Sequence, residues 1–140
     1  MGDNLISGCG VHHISIKARN FDKSLEFYRD VLGFKQKHLW DHETGPVALL
    51  DLGDGNYLEI WSGSHGSASE KTGIIHFALR TDDLDGSVEK LRSIGVNITL
   101  EPLDIIIPGT PELNARIAFF HGPDGESIEL FMEYTAALRL

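Results

Sequence analysis

At 140 residues, 41% hydrophobic and 24% charged, the chain is long enough for one well-buried domain or two small halves, and its composition is that of a globular protein. Twelve basic residues against 21 acidic ones leave a formal charge of −9, which argues against a nucleic-acid backbone as partner. No apolar run approaches the length of a membrane span, no basic-then-apolar leader is present, and the single cysteine, Cys9, cannot close an intrachain disulfide; a cytoplasmic protein that engages no membrane is the expectation.

The first predicted element is the strand "HHISIK" (12–17). A helix follows, with apolar residues at Phe21, Leu25, Tyr28 and Leu32, a spacing of threes and fours that builds one face. Asn20 or Asp22 can cap its start, and Gly33 sits where a left-handed residue would stop it. Extended segments "VALLDLG" and "NYLEIW" come next, joined by the hairpin dipeptide Asp54-Gly55. The Gly/Ser-rich stretch "SGSHGSASEKTG" (62–73) reads as a flexible linker. Beyond it lies a second strand, "IHFALR", and a second helix with Leu84, Val88, Leu91 and Ile94 on one face, Asp83 or Asp85 as cap and Gly95 as stop. "LEPLDIIIPGTPELNAR" (100–116) departs from a simple loop and reads either as a lid or substrate-shaping insert or as irregular packing. The last segments are "RIAFFHG" and "SIELF", around Asp124-Gly125.

This order is a repeat. At a shift of 63, His13 falls on His76, Asp22 on Asp85, Ser24 on Ser87 and Glu26 on Glu89; one residue is then dropped before Gly33 and Gly95. At a shift of 70, Glu59 falls on Glu129, with Asp-Gly ahead of both. The chain therefore divides into a βαβββ module at 8–62, a linker at 63–72 and a second βαβββ module at 73–134, together one domain.

Alternation along a strand assigns the faces. His12, Ile14 and Ile16 share one side and His13, Ser15 and Lys17 the other; Ile75, Phe77 and Leu79 oppose His76, Ala78 and Arg80. The apolar faces must cover the amphipathic helices, which leaves His13 and His76 on the opposite surface together with Glu59 and Glu129. A duplicated scaffold explains matching apolar positions; it does not readily explain matching His and Glu on the face away from the core. Two imidazoles and two carboxylates make a mixed N/O set suited to one divalent first-row metal, and without a metal two converging carboxylates would repel. Lys17, Arg80 and Arg116 could hold a substrate carboxylate or be solvated charges; Trp61 and Tyr57 share the Glu59 face and could wall a pocket, and Trp40 could equally be core.

Read together, "HHISIKARNFDKSLEFYRDVLGF", "NYLEIW", "IIHFALRTDDLDGSVEKLRSIGV" and "GPDGESIEL" resemble the vicinal oxygen chelate superfamily, the glyoxalase/bleomycin-resistance/dioxygenase group, over most of residues 10–133. The resemblance implies an α+β fold in which two tandem βαβββ modules form an open, barrel-like mixed sheet with helices on the outside. It implies metal ligands at His13, Glu59, His76 and Glu129 and one divalent ion per site, nickel, cobalt or zinc first and manganese or iron next.

This ligand set is most similar to that of glyoxalase I, a lyase that isomerises the hemithioacetal of glutathione and methylglyoxal. By that likeness the metal binds vicinal substrate oxygens as a Lewis acid, while a carboxylate, Glu129 first and Glu59 as its opposite-face partner, shifts a proton alpha to the carbonyl. The stretch after Glu59 departs from the Asn-aromatic-Gly continuation usual in glyoxalase I, so the substrate, a glutathione or other thiol adduct among the candidates, stays open. Rival readings within the superfamily are a CoA-ester epimerase, an extradiol-type dioxygenase and a thiol transferase; a metal-free drug-binding module of the bleomycin-resistance kind is the rival from another class. The family resemblance also implies a homodimer, with sites made inside one chain or from halves of two.

Overall fold

The computed structural model describes residues 5–43, 45–63, 73–123, 125 and 127–134. Its elements are β1 (Gly10–Lys17), α1 (Phe21–Leu25), β2 (Lys35–His42), β3 (Gly45–Gly53) and β4 (Asn56–Trp61), then β5 (Gly73–Arg80), α2 (Leu84–Ser93), β6 (Ile98–Ile107), β7 (Leu113–His121) and β8 (Ser127–Glu133). The fold is α+β, and the βαβββ order occurs twice. The described residues pack as two compact units. One holds those of His13–His76 with Pro108–Pro111; the other holds those up to His12, Phe77–Ile107, and those from Glu112 onward.

In the first unit the strands run in the order β2-β3-β4-β1. β1 lies parallel to β4, with His13 opposite Tyr57 and Ser15 opposite Glu59, while β2–β3 and β3–β4 are antiparallel. Asp54 and Gly55 both have positive φ, 60° and 83°, which is the geometry of a two-residue type I′ hairpin whose twist matches that of its strands. Asn20, not Asp22, caps α1: its Oδ1 accepts the Lys23 N–H at 3.1 Å. Phe21, Leu25 and Tyr28 pack against Ile14, Ile16, Leu58 and Ile60, as the apolar stripe requires.

Past Leu25 the helix widens into π-type turns over Glu26–Val31, where the Leu32 N–H reaches back five residues to Phe27 O at 2.9 Å. The wider turn carries Leu32 off the stripe, and it is 48% exposed where helical spacing had put it in the core.

The second unit follows the same plan in the order β5-β8-β7-β6, with β5 parallel to β8 and Ala78 opposite Glu129. Asp83 caps α2 by accepting the Gly86 N–H at 3.1 Å, and Leu84, Val88 and Leu91 bury against Ala118, Phe120 and Leu130. Gly95, at φ 90°, lets the Val96 N–H return to Leu91 O at 3.0 Å and close the helix. Ile94 ends up 65% exposed rather than on the buried face, because it is the capping residue (φ −100°, ψ 11°) and has already left the helical path.

Residues 100–116 are largely strand, with register shifts between Ile98 and Leu100 and between Leu100 and Leu103. They supply most of β6 and the start of β7, which pair antiparallel from Ile98 opposite Phe120 to Ile107 opposite Leu113. Most of the linker, at residues 64–72, and Asp124 of the second Asp-Gly pair lie outside the described residues. Gly125 does adopt a positive φ of 81°, and the β7–β8 pairing reaches His121 opposite Ser127.

Candidate metal centre

Alternation along β1 separates its two histidines. His12 is buried in the second unit, stacked on Phe131 at 4.0 Å between ring centroids, and its Nε2 lies 2.5 Å from Glu133 Oε2. It is a packed, paired side chain on the core side. His13, on the other face and in the first unit, is 1% exposed and meets Glu59 and His76. One potential ligand atom from each of these three residues lies within 4.8 Å of the others. His13 Nε2 stands 3.7 Å from Glu59 Oε1, and the His13 and His76 rings approach edge to face with centroids 5.7 Å apart.

Glu59 is buried, and a buried carboxylate is costly without hydrogen bonds. Two donors meet that need at a single oxygen. Ser15 Oγ donates to Oε1 at 2.6 Å, and the Trp61 indole N–H donates to the same atom at 2.7 Å. Ser15 Oγ also lies 2.9 Å from His76 Nε2. Since the hydroxyl proton is already directed at Glu59, this second contact is made by the imidazole N–H donating to the serine oxygen.

The donor set fits a divalent first-row cation: two imidazoles and a carboxylate close together, His13 and Glu59 buried and His76 half-buried, with no lysine or arginine among them. Of the four ligands expected from the repeat, the structure brings His13, Glu59 and His76 together. Glu129 is placed in the other unit, buried on β8 opposite Ala78, the same register position that Glu59 holds opposite Ser15.

The remaining candidates sort by their partners. Trp61 is engaged with Glu59, and His42 packs edge-on to its ring at 5.1 Å. Tyr57 accepts a hydrogen bond from Lys37 Nζ at 2.7 Å, Trp40 is half-buried rather than core, and Lys17 is half-buried opposite Trp61. Arg80 donates to Val11 O, and Arg116 bridges Asp85 and Asp104 at 3.1 Å each. Asp104 also accepts the Tyr134 hydroxyl at 2.6 Å.

Sequence reasoning missed Ser15. It stood on the His13 face without a role, although one signal was available: the repeat aligns it with Ala78, so this position differs between copies while the His and Glu positions do not.

Residues 10–130 match the Glyoxalase/Bleomycin resistance protein/Dioxygenase superfamily. A protein of Escherichia coli (strain K12) known only as "Uncharacterized protein YaeR" is 34% identical over 131 residues, covering 86% of this chain and 94% of its own. A "Probable lactoylglutathione lyase" of Synechocystis is 32% identical over 124 residues, covering 84% of this chain and 91% of its own. Among solved structures, a methylmalonyl-CoA epimerase from Mycobacterium tuberculosis superposes with a TM-score of 0.75 at 27% identity, covering 100% of this chain and 97% of that one. Among the described residues no helix is long and apolar enough to cross a membrane.

Proposed function

The chain belongs to the glyoxalase/bleomycin resistance protein/dioxygenase superfamily, and we propose that it is a metal-dependent enzyme of the glyoxalase I type, shifting a proton between carbons next to a substrate carbonyl. The observation that carries this reading is the His13–Glu59–His76 group, two of its members buried and the third half-buried, whose ligand atoms lie within 4.8 Å of one another. His13, Glu59 and His76 hold a divalent ion, nickel, cobalt or zinc, and Glu129 completes the set. A bound ion supplies Lewis-acid polarisation of two vicinal substrate oxygens.

The protein's own part is proton transfer and positioning. Glu129 is the base that takes the proton from the carbon alpha to the carbonyl and returns it to the neighbouring carbon, so that no atom is gained or lost. Its register supports the pairing of roles: Glu129 stands opposite Ala78 as Glu59 stands opposite Ser15, the same position in each copy. Glu59 is the fixed partner carboxylate, held by Ser15 and Trp61. The substrate is a small molecule, with a thiol hemithioacetal as the first choice, and the working species is a cytoplasmic homodimer.

Likeness to the methylmalonyl-CoA epimerase supports a second reading with related chemistry, epimerisation of a CoA ester, in which the proton taken from the alpha carbon is returned to that same carbon on its opposite face. One experiment separates them. Protein purified without a metal-affinity tag is analysed for metal, reconstituted with nickel, cobalt or zinc, and assayed on the glutathione–methylglyoxal hemithioacetal and on a 2-methyl-branched acyl-CoA. Turnover of the hemithioacetal is expected. Turnover of the CoA ester alone favours the epimerase, and a folded protein that binds none of these metals leaves the metal-free binding module.

A further inference from the structure

We propose that Ser15 is a positioning residue for the metal centre, fixing the Glu59 carboxylate through Oε1 and steadying the ring of His76. The inference rests on the metal-site reading above and assigns a task to a residue outside the ligand set.

Three observations carry it. First, Ser15 is fully buried (0% exposed) on a strand whose outward positions are otherwise occupied by larger groups, and a buried hydroxyl must be satisfied. Its two partners are both members of the candidate ligand group: Glu59 at 2.6 Å and His76 at 2.9 Å. Second, the contacts on Glu59 fall on one oxygen. Oε1 takes the Ser15 hydroxyl and the Trp61 indole, and the same oxygen stands 3.7 Å from His13 Nε2, so the two donors fix the carboxylate oxygen that faces the histidines. Third, the position is set by register and not by a flexible side chain. Ser15 and Glu59 are direct partners across the parallel pair β1–β4, so a side chain of one heavy atom beyond Cβ reaches the carboxylate.

The second copy sharpens the argument. Ala78 occupies the position equivalent to Ser15, fully buried and opposite Glu129, and Phe131 occupies the position equivalent to Trp61. Neither of these side chains can donate a hydrogen bond. The hydroxyl and the indole are therefore additions to one half of a duplicated frame, not requirements of the frame itself.

The test uses the full chain. Ser15→Ala removes only the oxygen, and Ala78 demonstrates that alanine suits this strand position. Nickel and cobalt binding are measured by calorimetry, together with the visible absorption spectrum of the cobalt-loaded protein and the thermal unfolding of the metal-free protein. Loss of such an orienting contact costs about 10–100-fold in metal affinity. The expected result is a loss of that size with a changed cobalt spectrum, and recovery toward the wild-type spectrum in Ser15→Thr, which restores the hydroxyl. A serine that merely satisfies strand packing would shift the unfolding temperature and leave the cobalt spectrum alone. Wild-type affinity and spectrum in Ser15→Ala would overturn the role of Ser15 while leaving the metal site standing. Failure of the wild-type protein to bind either metal would overturn the metal site, and this inference with it.

Discussion

Trp61 and Glu59 are two residues apart on β4 and so share a face, and the indole N–H of one is spent on the carboxylate of the other at 2.7 Å. Trp61 is thus a hydrogen-bond donor to a member of the candidate ligand group. Trp61→Phe, which copies the residue at the equivalent position of the second half, keeps an aromatic ring and removes the donor. Metal affinity is expected to fall by about tenfold, measured by calorimetry on nickel. An unchanged affinity would remove Trp61 from the groups that position Glu59.

The histidines are expected to behave as ligands. His13→Ala and His76→Ala should each lower metal affinity by more than about a hundredfold, a larger loss than removal of an orienting group. Metal content after dialysis against buffer is the readout. His12→Ala provides the contrast: it strips a stacked and paired side chain from the core and should lower thermal stability, with the metal retained.

Glu129→Gln keeps the shape of the side chain and removes its capacity to take a proton. A lost general base costs about 10²–10⁴-fold in rate, so kcat on the hemithioacetal should fall within that range while some metal stays bound. Retention of full activity would move the base to another residue.

Gly109 illustrates a constraint from packing alone. A Cβ built there would stand inside contact distance of the buried His38 ring, whose Nδ1–H donates to Pro108 O at 3.3 Å. Gly109→Ala forces that ring to move and should destabilise the protein by about 1–3 kcal/mol, read from denaturant unfolding.

Asp104 gives the pH dependence a direction. The hydroxyl of Tyr134, and after it the guanidinium of Arg116, hold the Asp104 carboxyl below the usual carboxylate range. A carboxyl depressed in the folded state contributes stability that is present above its unfolded pKa and is lost as the pH falls through its folded value. Tyr134→Phe should raise the Asp104 pKa toward the ordinary value in a carboxyl NMR titration and shrink that loss, so that less stability disappears on acidification and the decline ends at higher pH.

Much of this was legible before any coordinates. Strand alternation alone separated His13 from His12, because neighbouring side chains cannot share a face, and the repeat picked out Glu59 by its counterpart. Helix stops at Gly33 and Gly95 followed from the need for positive φ, which both residues adopt.

What alternation and repeats report is a face, not a contact. That is why Ser15, small and polar, drew no attention until its neighbours were known. β6 escaped notice for a different reason: Pro102 cannot donate to a ladder and speaks against a strand. The structure accommodates it where the register slips between Leu100 and Leu103, on a strand with only β7 beside it in the order of its unit.

The wide turns after Leu25 bear on how the two copies came to differ. From the cap at Asn20 to Gly33 there are 33 − 20 = 13 steps along the chain, and from Asp83 to Gly95 there are 95 − 83 = 12. The first copy carries one residue more between the same two landmarks, and a π-type turn is how a helix absorbs a single extra residue without giving up either end. The irregularity in one half is thus the footprint of an insertion or of its mirror, a deletion in the other. Removing one residue from Glu26–Val31 would return the segment to the length of its twin.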